Sequence, residues 1–146
     1  MKRFTLIDKA FLLKRTPLFG ALDLDLLLTI ADKLGLVTFD PGDYIFVVEE
    51  EANRMYFIVK GQVEIQSSNR QLISTLGSGD FFGEESLFNN KPRAYAAFAP
   101  VETQVLTLSR TNLYTIISEC PSVAVGFLQV YTSVPFRPIK GMENES

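Results

Sequence analysis

Residues 82–96 read FGEESLFNNKPRAYA, and the rest of the chain is best read outward from them. Asn89-Asn90-Lys91-Pro92 has the composition of a surface turn, because Asn tolerates left-handed backbone and Pro fixes φ and removes a donor. Yet the stretch is preceded by Phe81 and runs out into the apolar AYAAFA of 94–99, so buried elements are expected on both sides. One long loop between two strands therefore carries an acid, Glu84, and a base, Arg93. Such a pair on a loop is the arrangement that grips a ligand.

Short strands surround the loop. YIFVV (44–48), MYFIVK (55–60), QVEIQ (62–66), LISTL (72–76), AYAAFA (94–99) and QVLTLS (104–109) are separated by Gly, Asn and Asp. Strands at this spacing predict a β-sandwich or barrel. Asp40-Pro41-Gly42-Asp43 is a turn in which Pro presets φ and Gly takes the positive φ. Gly61 makes a tight link, and Gly77-Ser78-Gly79-Asp80 a further turn. Before the strands, Leu6, Ala10, Leu13 and then Leu22, Leu26, Leu27, Ile30, Ala31 and Leu34 recur at helical spacing. Asp23 or Asp25 is the expected cap of the second helix, and Gly35 its stop. After Ser109 helix returns: Leu113, Ile116 and Ile117 share a face, Cys120-Pro121 interrupts, and Val123–Tyr131 resumes.

The fold class is thus mainly β with flanking helices. One domain over 1–135 is expected, helical at 4–34, β at 36–109 and helical again at 110–132. Pro135 and Pro138 end regular structure, and 136–146 is a tail.

Composition removes several chemistries. The chain of 146 residues has no histidine, which takes away the commonest general acid–base and metal ligand, so catalytic triads and typical zinc sites are not expected. No enzyme activity and no metal are expected. A single cysteine, Cys120, excludes an internal disulfide framework. Asp8-Lys9 breaks the apolar run at the N-terminus, so no signal peptide is readable, and no stretch approaches a membrane span. The expected location is cytoplasmic. Net charge is −3, with +4 in residues 1–16. That basic first helix is either a solvated face or a surface for membrane or nucleic acid, but the acidic remainder argues against a nucleic-acid partner.

PGDYIF (41–46), MYFIVKGQVEI (55–65) and LGSGDFFGEESLFNNKPRAYA (76–96) together resemble the cyclic nucleotide-binding domain of catabolite activators and cAMP-dependent kinase regulatory subunits. The resemblance covers roughly residues 5–132. Its most specific part, Phe82-Gly83-Glu84-Glu85-Ser86-Leu87 followed by Pro92-Arg93-Ala94, is similar to the family's phosphate-binding cassette. The resemblance implies a β-roll, or double-stranded jelly roll, with helices packed on it. It also implies a bound cyclic nucleotide, with Arg93 on the phosphate, Glu84 on the ribose and backbone amides of the cassette on the anion.

The residues suit those roles. Arg93 offers a bidentate, charge-assisted pair to a phosphate, and the Glu84 carboxylate accepts from a ribose 2′-hydroxyl. Gly83 permits close backbone approach, and Glu85-Ser86-Leu87 can start a helical turn with free amides. The bland alternatives are that both glutamates simply favour a helix start, and that Arg93 pairs with Glu84 to tie the loop down. Ala94 lacks the hydroxyl that favours cGMP in the family, so cAMP is the expected ligand and cGMP less so.

Three departures stand out. The family's two glycines before the third strand are absent from Val48-Glu49-Glu50-Glu51-Ala52-Asn53, and the expectation is a rebuilt turn with Glu49–Glu51 as a solvated face. Glu85 replaces a residue that is often apolar in the family. Tyr95, on the Arg93 side by strand alternation, either packs in the barrel or lines the pocket. Phe127 and Tyr131, four apart on one helical face, are candidates for a lid; the alternative is permanent packing on the barrel. Gly126 and Pro121 are expected to ease movement of that helix.

The expected function is a cAMP receptor module signalling through its C-terminal helices. No output segment is readable after Tyr131, so a protein effector acting in trans is expected, with the chain a monomer or weak homodimer. The alternative is a protein-interaction or structural module of the same fold without useful ligand affinity.

Overall fold

The computed structural model describes residues 4–133. The helices α1 (Leu6–Lys14) and α2 (Leu24–Ala31) begin at side-chain caps that satisfy amides without intrahelical partners. Thr5 and Asp8 form a reciprocal box, Asp8 N donating to Thr5 Oγ1 at 3.1 Å and Thr5 N to Asp8 Oδ2 at 2.9 Å. Asp23, not Asp25, caps α2, accepting from Leu26 N at 3.0 Å. Gly35 is not the helix stop: α2 ends at Ala31, and Gly35 opens the strand β1 (Gly35–Phe39), which the sequence pattern did not reveal. A Cβ there would lie 2.9 Å from Thr107 Oγ1 across the sheet, so close packing explains the glycine.

Seven more strands follow: β2 (Tyr44–Phe46), β3 (Arg54–Lys60), β4 (Val63–Gln66), β5 (Leu72–Leu76), β6 (Phe81–Phe82), β7 (Ala96–Phe98) and β8 (Thr103–Ser109). They form two four-stranded antiparallel sheets, in the orders β1-β8-β3-β6 and β2-β7-β4-β5. With the flanking helices this is the β-roll implied by the sequence. Gly61 links β3 to β4 at φ +104, and a Cβ there would lie 2.6 Å from the Glu102 carbonyl, so no other residue fits without a shift.

Alternation along two strands divides the interior into two clusters. Met55 and Phe57 of β3, with Leu106 and Leu108 of β8, face the helices and join Leu13, Phe19, Leu27 and Leu113. Tyr56 and Ile58 of β3, with Val105 of β8, face between the sheets and join Phe46, Val63, Phe82 and Ala97. Because β3 is covered on both faces, its sequence is a continuous apolar run rather than an alternating one.

Three expected strands are shorter than their sequence patterns, β4 by Gln62 alone. β2 stops at Phe46 instead of Val48, and β7 starts at Ala96 instead of Ala94. The released residues are engaged otherwise: Glu49 N donates to Arg93 O at 2.8 Å and Arg93 N to Glu50 O at 2.9 Å. The turn before β3 is therefore bonded to the cassette. Its first missing glycine is not compensated by a rebuilt backbone, because Glu49 keeps φ at +73, whereas Ala52 lies outside the left-handed region. The cassette helix α3 spans Glu85–Asn89 and ends on Asn90 in left-handed conformation, as its Asn-rich sequence predicts. The helices α4 (Arg110–Glu119) and α5 (Ser122–Ser133) close the chain, broken at Cys120-Pro121. The proposed tail at 136–146, with Pro135 and Pro138, lies outside the described residues.

Candidate functional site

The cassette is built around Gly83. At φ +84 it directs the chain from β6 into α3, and a Cβ there would lie 3.0 Å from Arg93 Nη1 and 3.4 Å from the Phe46 and Tyr56 rings. Gly83 is thus needed both for its conformation and for the guanidinium beside it. Phe82, on the preceding strand, stacks on Tyr56 with centroids 5.0 Å apart, and Leu87 is fully buried, so the cassette is pinned at both ends.

Arg93 is 4% exposed. Its Nη1 donates to the Gly83 carbonyl and its Nη2 to the Arg54 carbonyl, both at 2.6 Å. The guanidinium carbon lies 4.0 Å from the Phe46 ring centroid, a stacking arrangement that delocalised cations favour. Its Nε is buried and has no hydrogen-bond partner. Burial pulls its pKa down, so the cation sits where its charge is poorly solvated. Arg93 also lines a cavity of about 270 Å³, whose wall includes Val37, Ile45 and Tyr56 and whose rim includes Glu50 and Glu51. The tie between Arg93 and Glu84 considered from sequence is replaced by these two main-chain carbonyls.

Glu84 is also 4% exposed. It stands at the N-cap of α3, but its side chain makes no cap bond there, so it is not a structural cap. Its Oε2 instead accepts from the Tyr131 hydroxyl of α5 at 2.8 Å. Burial pushes the Glu84 pKa up to about 7, the neighbouring Glu85 charge adds to the rise, and the Tyr131 bond and Arg93 oppose it. The first helical bond of α3 runs from Leu87 N to Glu84 O at 3.0 Å, so the Glu85 and Ser86 amides precede it.

Tyr95 combines both of its alternatives. Its ring packs 5.6 Å from Phe46, while its hydroxyl accepts from Gly83 N at 2.9 Å and donates to Glu85 Oε1 at 2.7 Å. Burial and Glu85 push its pKa up, so it remains a neutral phenol. Strand alternation was the wrong warrant for placing it beside Arg93, since neither residue lies in β7; the shared Phe46 ring brings them together. Glu85 is exposed but turned back on that hydroxyl. Ser86 Oγ donates to Pro92 O at 3.3 Å, closing the loop, and Pro92 and Ala94 are exposed.

Phe127 is 3% exposed and meets Phe81 and Phe88 edge-on, at 5.7 and 5.1 Å. Tyr131 is 41% exposed despite its bond to Glu84. Gly126 is explained by packing, not by ease of movement: a Cβ there would lie 3.0 Å from the Leu18 carbonyl. Sequence reasoning did not single out Phe46, Tyr56 or Arg54, which hold Arg93, nor Arg110 and Tyr114, which bond the Ser86 and Leu87 carbonyls at 3.1 and 2.6 Å. Phe46 and Tyr56 lie in segments that resemble the family, which was the signal available for them.

Comparison with known proteins adds the family to this geometry. Residues 36–120 match the model of the cyclic nucleotide-binding domain. The chain belongs to the cyclic nucleotide-binding domain family. It is 27% identical over 123 residues to a CRP-like cAMP-activated global transcriptional regulator of Mycobacterium tuberculosis, covering 82% of this chain and 55% of the regulator. A cyclic nucleotide-gated potassium channel of Mesorhizobium japonicum is 31% identical over 113 residues, 77% of this chain and 31% of the channel. The chain therefore spans about half the length, or less, of these curated relatives. Among solved structures, the regulatory subunit of a cAMP-independent protein kinase A from Trypanosoma brucei superposes with a TM-score of 0.74 at 26% identity, over 89% of this chain and 48% of that one. Among the described residues, no cluster of His, Cys, Asp or Glu could hold a metal, and no single helix is long and apolar enough to cross a membrane.

Proposed function

We propose that this cyclic nucleotide-binding domain is a receptor for cAMP, preferred over cGMP, that passes occupancy to a partner protein through α5 and catalyses nothing itself. The observation that carries this reading is the buried Arg93 guanidinium, whose two Nη groups are spent on carbonyls while Nε has no partner. A buried cation without a carboxylate bonded to it is costly, and an entering phosphate would relieve that cost. The exposed Ala94 supports cAMP, since it has no hydroxyl to offer a guanine amino group. The cAMP-activated regulator among its relatives supports the same ligand class. Calorimetric titration of the purified chain with cAMP and with cGMP tests the proposal. Saturable binding of cAMP, tighter than cGMP, is expected; no heat with either at millimolar ligand overturns it.

One observation favours the second reading, a module of the same fold that binds a protein without useful nucleotide affinity. Gly83 N is taken by Tyr95 and the Glu84 carboxylate by Tyr131, so one cassette amide and the acid assigned to the ribose are already bonded within the chain. The relative from Trypanosoma brucei, described as cAMP-independent, is compatible with that reading. The same titration separates the two.

A further inference from the structure

We infer that this chain has a second anion site, adjoining the cassette but with its own set of cations, which takes a small multivalent phosphate such as a diphosphate or a phosphomonoester dianion. A cavity of about 380 Å³ lies where the α2–β1 turn, the start of β3 and the start of α4 converge. Lys33, Arg54 and Arg110 all line it, with Asn53, Thr107 and Asn112 among the neutral polar groups, and no carboxylate does. In a chain of net charge −3, three cations around one carboxylate-free cavity is a concentration that folding alone does not require. Like charges held together repel, and such a cluster is stabilised by a bound counter-anion.

The three cations are not neutralised internally. Arg54 Nε donates to Asn53 Oδ1 at 3.2 Å and Arg110 Nη2 to the Ser86 carbonyl at 3.1 Å, both neutral acceptors. Arg110 Nε is buried with no hydrogen-bond partner, and Lys33 has no ion pair among the described residues. The cavity also borders the first turn of α4, where the helix dipole favours negative charge. Its size is at the lower end of ordinary ligand pockets, about 300–1,000 Å³. Arginine forks and a lysine point charge are the donors that phosphate oxygens use. Arg93 and Glu84 are not in this lining, although Asn53, Arg54 and Thr107 also border the Arg93 cavity, which Glu50 and Glu51 line too, and Arg110 bonds the cassette carbonyl of Ser86.

The test is an amide chemical-shift titration of the full chain with inorganic pyrophosphate at low salt, read at Asn53, Arg54, Thr111 and Asn112 and compared with Gly83–Ala94. Saturable shifts at the first set are expected. The double variant Lys33→Gln/Arg54→Gln should weaken that binding at least tenfold, because it removes two of three charges without touching a buried contact. Raising the salt should weaken it as well, as for any exposed electrostatic site. Shifts confined to Gly83–Ala94, no saturation up to tens of millimolar, or unchanged affinity in the double variant would each overturn the inference. A phosphopeptide or lipid headgroup that saturates the same amides where pyrophosphate does not would do so too, by showing a macromolecular partner.

Discussion

The Tyr131 hydroxyl donates a 2.8 Å hydrogen bond to the Glu84 carboxylate, joining the last turn of α5 to the acid at the head of the cassette. A ribose hydroxyl using the same oxygen must compete with it. Tyr131→Phe removes the competitor and keeps the ring, so we predict faster cAMP association, by about threefold to tenfold on the ~1 kcal/mol scale of one hydrogen bond. Stopped-flow association kinetics read the change. Hydrogen exchange at residues 127–133 should rise in the same variant without ligand, because the bond that holds the turn is gone.

Glu84 makes stability depend on pH in an unusual direction. Its folded pKa, about 7, is above the ordinary 4.5, so the folded state binds the proton more tightly than the unfolded chain does. Its contribution is therefore most favourable below about pH 4.5 and declines as pH rises toward about 7, by an amount on the order of 3 kcal/mol. Glu84→Gln should abolish this slope and be the more stable protein at pH 8 without ligand. Urea denaturation of both proteins at pH 5 and pH 8 gives the comparison; parallel pH dependences would mean that the carboxyl is not protonated near neutrality.

Removing the buried cation should harm both affinity and fold. Arg93→Ala leaves the Gly83 and Arg54 carbonyls without their donor, a loss of about 1–3 kcal/mol of stability. The cAMP affinity should fall further, by about 2–4 kcal/mol, since the phosphate loses its charge partner. Arg93→Lys should also fail, because one ammonium cannot reach two carbonyls and a phosphate as a planar fork does. Thermal melts and calorimetry on the same preparations separate the two effects.

Glu49 occupies left-handed backbone at φ +73, where a side chain costs on the order of 1 kcal/mol. Glu49→Gly should therefore raise the denaturation midpoint, with a net gain of about 0.5 kcal/mol after the added flexibility of the unfolded chain. The bond from its amide to Arg93 O involves only main chain and should persist. A lower midpoint would show that the Glu49 side chain contributes something its backbone conformation does not reveal.

The sequence revealed what is contiguous and apolar. LISTL is β5 to the residue, and the cassette residues could be read as one group because they are neighbours in the chain. β1 was missed because Gly35 resembled a helix terminator and because the strand is largely exposed and lacks a clear apolar alternation. β6, two residues long, has no periodicity to detect. The partners of the site were harder still. Arg93 is held by the carbonyls of Gly83 and Arg54, and a main-chain oxygen carries no side-chain signature. The Glu84–Tyr131 bond crosses 47 residues, a distance that spacing rules for one helix or one strand do not bridge.

The packing of α5 divides the helix into two parts of unequal burial. Phe127 is wedged edge-on between Phe81 of the barrel and Phe88 of the cassette helix, and Gly126 rests against the Leu18 backbone. Detaching that region would expose a whole aromatic side chain, a cost on the order of 2–3 kcal/mol from area alone. Beyond it, Leu128 and Tyr131 are 62% and 41% exposed; Tyr131 is held by its bond to Glu84 and its ring contact with Phe127, and between them Val130 packs on the helix-side core. The base of the helix at residues 126–127 is thus its most firmly packed part, and its final turn the more lightly held. Under the receptor reading proposed above, an occupant that takes the Glu84 oxygen would displace the Tyr131 hydroxyl before any other part of α5.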